Sequence, residues 1–131
     1  MMPTLVLKLI RVTRKNIMKI HSMKLDKLYF EEVAIGSKVI EIRLNDRKRE
    51  NIRVGDQITF YNRENPQNFV SVKVKNVQKF VTLLDLLSAY PIANFGRVWK
   101  SINEGIDAVN YYSENDIRKY GFLAIEIEAE S

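Results

Sequence analysis

Within the stretch GSKVIEIRLNDRKRE, Lys38, Glu41 and Arg43 are the side chains best able to do chemistry. A lysine can stabilise developing negative charge, or act as a base when burial lowers its pKa. A glutamate can move protons or orient water. An arginine can meet a phosphate or a base edge. On a strand, Val39, Glu41 and Arg43 share one face while Ile40, Ile42 and Leu44 share the other. Glu41 and Arg43 then lie side by side, opposite the core face. They form either a surface ion pair worth about 0–1 kcal/mol or part of a groove. Lys38 stands two residues past Gly36, at the mouth of the strand, where loops and helix ends converge and ligands are often held.

Other candidates divide in the same way between binding and structure. Arg47, Lys48 and Arg49, with Arg53 nearby, make a basic loop suited to backbone phosphates or simply a solvated turn. Tyr111 and Tyr112 offer rings on which a base can stack, although one of the two is expected in the core. Ser113 offers a hydroxyl to phosphate or ribose, but Ser-x-x-Asp is also what a helix N-cap requires. Trp99 is expected to be buried packing. His21 is expected to be an ordinary strand residue unless it approaches Lys38.

The elements that position these residues are short. Ile20 to Leu25 is a strand, Asp26 is placed to cap a helix through KLYFEEVAI, and Gly36 closes that helix. Lys38 to Leu44, Gln57 to Asn62 and Phe69 to Val77 read as strands, the last two joined by a turn at RENPQN. Thr82 with Asp85 resembles a capping box for a helix that Pro91 ends. A further helix is expected around Trp99 and Ile102, limited by Gly105, and another runs from Ser113 to Gly121 before the terminal strand FLAIEIEAE. Five or six mostly antiparallel strands with three or four short helices make an α+β sheet or small barrel. Regular βαβ alternation is absent.

Composition narrows the function classes. The chain has 131 residues, enough for one domain. It contains no cysteine and a single histidine, which argues against thiol chemistry and a zinc site. No apolar run approaches the roughly 20 residues that cross a bilayer. Residues 1–19 carry Lys8, Arg11, Arg14, Lys15 and Lys19 and no acid, which accounts for the whole net charge of +5. They are expected to be a basic extension ahead of a domain over residues 20–131. Met18 would be a natural start for that domain, and alternation at Leu5, Leu7 and Leu9 leaves an extra edge strand as the alternative. Within the domain, 12 basic and 6 acidic residues lie between Lys38 and Lys100, against 2 and 7 after it. A basic region on a neutral domain is compatible with a polyanion partner.

The run Gly36-Ser37-Lys38-Val39-Ile40-Glu41-Ile42-Arg43 resembles the G-x-K-x-x-E-x-R signature of the ASCH domain, a branch of the PUA-like superfamily. IRVGDQITF and YYSENDIRKYGFLAIEIE resemble the family's later segments, in the same order. The resemblance covers roughly His21 to Glu128. It implies a PUA-like small β-barrel with a cleft at the signature strand, where Lys38, Glu41 and Arg43 fall and to which Tyr111, Tyr112 and Ser113 come close. It also implies an RNA- or nucleotide-binding module. The alternative is a metal-independent hydrolase acting on RNA or a modified nucleoside through Lys38 and Glu41. Some ASCH-like enzymes hydrolyse an acetyl amide on a modified cytidine with the signature lysine and a threonine three residues later. This chain keeps Lys38 but has Glu41 in place of the threonine, so whether it is an enzyme stays open. A protein-interaction domain with a self-filled cleft is the further alternative. The expected partner is RNA, a nucleoside or a nucleotide, with no cofactor, metal or membrane, in the cytoplasm.

Overall fold

A computed structural model describes residues 17–130. Residues 1–16 of the expected extension over residues 1–19, and with them the alternative of an added edge strand, lie outside the described residues. The strands are β1 (Ile20–Leu25), β2 (Ile40–Leu44), β3 (Gln57–Asn62), β4 (Phe69–Phe80) and β5 (Phe122–Ala129). The helices are α1 (Lys27–Ala34), α2 (Leu83–Ser88), α3 (Ile102–Ala108) and α4 (Glu114–Tyr120). The five strands form one sheet in the order β1-β3-β4-β5-β2. Its neighbours are antiparallel except β1 and β3, which run parallel.

The sheet curls until its two edges face each other. β1 and β2 stand at opposite ends of the strand order, yet the Arg43 guanidinium in β2 donates to the Lys24 carbonyl in β1 at 2.8 Å. The curl gives the sheet an inner and an outer core. β5 serves both by strict alternation. Leu123, Ile125 and Ile127 pack with Phe60, Val72, Val74 and α1 residues Phe30 and Val33. Phe122 and Ala124 pack with Ile40, Ile42 and Leu44 of β2 and with Leu86, Leu87, Phe95 and Trp99. The alternation expected for β2 is thus present, its aliphatic face buried in the outer core.

Local chemistry accounts for most element ends. Gly36 takes φ +83° just past α1, a conformation that disfavours a Cβ. Thr82, Ser101 and Ser113 each accept a hydrogen bond at the helix start, from the amides of Asp85, Glu104 and Asp116. Asp26 occupies the N-cap position of α1 without capping it; its carboxylate pairs with Arg63 at 3.0 Å instead. Gly105 does not limit its helix. It lies inside α3, at a position where a Cβ would meet Trp99 at 3.0 Å and Leu87 at 3.1 Å. Trp99 precedes the helix and packs beneath it, buried as expected.

Candidate functional site

The backbone fixes Lys38 before its side chain enters the site. Glu32, in the last turns of α1, accepts at its carbonyl from the amides of Ser37 (3.0 Å) and Lys38 (3.1 Å). Its carboxylate reaches the other way, to the Arg97 amide at 2.6 Å and the Arg97 guanidinium at 2.9 Å. These bonds hold the Glu32 carboxyl down at about 2, against the opposing effect of burial. Gly96, at φ +105°, lets the two segments close, since a Cβ would sit 3.3 Å from the Glu32 carboxylate and 3.4 Å from Lys38 Cβ. Lys38 also forms a backbone bridge to Phe95. Helix α1 and the loop around Gly96 therefore clamp the start of the signature strand from both sides. Neither Glu32 nor Arg97 stands out in the sequence, because they meet across 65 residues.

Lys38, Glu41 and Arg43 form one buried ionic triad. Glu41 is only 5% exposed and lies between the two cations. Its Oε1 accepts from Lys38 Nζ at 3.3 Å and from its neighbour's amide, Ile42 N, at 2.9 Å. Its Oε2 accepts from Arg43 at 3.0 and 3.3 Å. Lys38 is 3% exposed, and its amine also donates to the Ile40 carbonyl. Burial works to raise the Glu41 pKa, but the two cations and the Ile42 amide outweigh it and keep the carboxylate ionised. For Lys38 the balance goes the other way: desolvation holds its amine below the usual lysine range, with Glu41 pulling against it. A surface pair worth about 0–1 kcal/mol does not describe this arrangement. Glu41 and Arg43 share the expected face, but the seam with β1 covers it.

Beside the triad is an open cleft of about 520 Å³, within the usual size range for small-molecule sites. Lys38, Glu41 and Arg43 line it together with Tyr29 of α1, Trp99, Val109 and Tyr111. The Trp99 indole donates to the Tyr29 hydroxyl at 3.2 Å, and the two rings meet edge to face at 6.0 Å. Tyr111 is 67% exposed at the rim, held against Tyr112 with ring centroids 4.6 Å apart. Tyr112 is the core member of the pair, packed edge-on to Phe122. Ser113 is occupied as the α4 cap and does not line the cleft.

The basic loop lies elsewhere. Lys48 and Arg49 line a second cavity of about 640 Å³, which meets the cleft at Lys24, Arg43 and Arg63. Arg47 is exposed and lines neither cavity. His21 faces the second cavity and bonds Asp56 at 2.8 Å, well away from any bond to Lys38. Sequence reasoning missed Tyr29, Lys24 and Arg63; their only signal was aromatic or basic character in the first turn of the predicted first helix, late in the first strand and at the start of the RENPQN turn. Among the described residues, no cluster of three or more His, Asp or Glu is placed to hold a metal ion, and no helix is long and apolar enough to cross a membrane.

A family model described as the ASCH domain matches residues 23–131. Among solved structures, the hypothetical protein PH0355 superposes with a TM-score of 0.74 at 37% identity, covering 85% of this chain and 99% of that one. Protein PF0455 from Pyrococcus furiosus gives 0.66 at 34% identity, over 84% of this chain and 96% of that one. ASCH from Zymomonas mobilis gives 0.55 at 15% identity over 84% and 67%, a likeness of fold alone. No curated protein matches the chain. The curled five-stranded sheet with four helices agrees with the ASCH and PUA-like architecture.

Proposed function

Because the chain belongs to the ASCH domain family, we propose that its cleft binds RNA or a nucleotide, with a base entering beside Lys38 and Glu41. The observation that carries this reading is the composition of the cleft. Its lining joins a fixed array of charged donors and acceptors to the side chains of Tyr29, Trp99 and Tyr111. Aromatic faces suit any base by stacking, whereas charged edges can select among bases by hydrogen bonding. An open cleft also favours a ligand over a self-filled interaction surface. The test is calorimetric titration of nucleosides and short RNAs at low salt, on the wild type and on Tyr111→Ala. Loss of one stacking ring weakens binding by about 1–3 kcal/mol, or roughly 5- to 150-fold. The ring is exposed and loses only its contact with Tyr112, so the melting temperature falls by no more than a few degrees. Flat titrations with every nucleoside and RNA, or full affinity in Tyr111→Ala, would overturn the reading.

A second reading has one specific observation behind it. A lysine whose pKa is held down by burial is the kind of group that serves as a base or nucleophile. In a metal-independent hydrolase acting on RNA or a modified nucleoside, Lys38 would act at the bond being broken. Glu41 would orient it, since both its oxygens are already occupied. Product formation that disappears in Lys38→Met while binding persists supports this reading. Turnover unaffected by the substitution eliminates it.

A further inference from the structure

We propose that the second cavity is a phosphate subsite, so that the protein takes a phosphorylated nucleoside or an RNA phosphodiester in preference to a bare nucleoside. This rests on the reading of the cleft as the place for the base. The two cavities meet at Lys24, Arg43 and Arg63, which places the phosphate next to the ribose of a nucleoside held in the cleft. The second cavity adds Lys48 and Arg49 to these shared cations, with His21 also in its lining.

The carboxylates that pair with its basic residues all lie outside its lining. Glu41 holds Arg43, Asp46 holds Arg49 at 2.9 Å, Asp26 holds Arg63, and Asp56 holds His21. Glu41 and Asp26 line the adjoining cleft, and each carboxylate engages only part of the donors of the side chain it holds. Arg43 uses Nε and Nη2 on Glu41 and Lys24, and Arg49 uses Nη1 on Asp46. The remaining nitrogen of Arg43, Nη1, and the Nε and Nη2 of Arg49 have no acceptor among the described residues. Lys24 and Lys48 form no ion pair among the described residues. Guanidinium groups pre-oriented by a carboxylate, with donors to spare beside two lysines, suit the oxygens of a phosphate mono- or diester. An uncharged ligand would gain little from them. A concave basic pocket also differs from a solvated charged turn in that its cations converge on one volume.

The probes are the four common ribonucleosides, their 5′- and 3′-monophosphates, and inorganic phosphate. They are titrated into the full chain at low salt and followed by amide chemical shifts. The expected result is that at least one series of monophosphates binds about tenfold more tightly than its parent nucleosides, the factor one charge-assisted contact supplies. Phosphate-bearing probes, inorganic phosphate included, shift the amides of residues 46–50. In Lys48→Glu, a substitution at an exposed turn position, the ratio of monophosphate to nucleoside affinity falls towards one. Nucleosides that bind with no gain from a phosphate, or a ratio unchanged in Lys48→Glu, overturn the subsite and leave the cleft reading standing. If no nucleoside binds and the monophosphates bind no more tightly than inorganic phosphate, which still shifts residues 46–50 in the wild type and not in Lys48→Glu, the cleft reading falls and the phosphate site stands.

Discussion

Glu41→Gln is the substitution that most directly tests whether the triad is a buried unit. It keeps the shape of the side chain and removes the negative charge between Lys38 at 3.3 Å and Arg43 at 3.0 Å. Both the carboxylate and the amine are almost fully buried, so solvent cannot take over the lost interaction. Removing one partner from a buried pair costs about 3–5 kcal/mol, because the other charge is left uncompensated. Against a total stability of about 5–15 kcal/mol, that is a large share. For a domain of this size it corresponds to a fall in melting temperature of roughly 10–20 °C. The pH dependence carries a second signature. Burial already holds Lys38 below its unfolded value of 10.5, so in the pH window below 10.5 the unfolded state binds the proton more readily. Stability therefore rises with pH through that window. Without Glu41 the Lys38 pKa falls further, and the rising limb extends to lower pH. Urea denaturation at a series of pH values reads both effects. Adding Lys38→Met to Glu41→Gln recovers part of the loss, since the orphaned amine is gone. A Glu41→Gln variant that loses less than about 1 kcal/mol, the range of exposed pairs, with an unchanged pH profile, would refute the reasoning.

Two further outcomes follow from the clamp and the helix packing. Glu32, with its carboxyl held at about 2 against an ordinary 4.5, contributes stability that is complete above 4.5 and lost as pH falls towards 2. In Glu32→Gln that acid limb flattens and baseline stability drops, both measurable by denaturant titration between neutral and acid pH. Gly105→Ala should gain about 1 kcal/mol of helix propensity but lose about 1–3 kcal/mol to overpacking, because the new methyl presses on Trp99 and Leu87. Net destabilisation is expected, with a change in the emission of the single tryptophan. An unaltered melting temperature and spectrum would show that the neighbours yield.

Much of the architecture was legible because it depends on short-range rules. The alternation of Ile40, Ile42 and Leu44, the Ser113–Asp116 cap and the positive φ at Gly36 are set by neighbours in the chain. Asp26 and Gly105 were misread for the same reason. Local chemistry marks Asp26 as a cap and Gly105 as a helix end, but a distant arginine takes the first and a close ring accounts for the second. The tyrosine pair shows the limit of composition. Either ring could be the core one, and only packing against Phe122 assigns that place to Tyr112 and leaves Tyr111 at the rim.

The sequence by itself determined the strands, their terminators, the family signature and which side chains share a face of β2. It could not determine that this face is covered. That follows from the curl of the sheet, which brings Lys24 and Arg43 together from its opposite edges. Burial encloses Glu41 between Lys38 and Arg43, whose charges keep it ionised against desolvation, and lowers the pKa of Lys38. Desolvation depends on what lies within a few ångströms in space, and a periodic pattern along one strand carries no information about the strand across the seam.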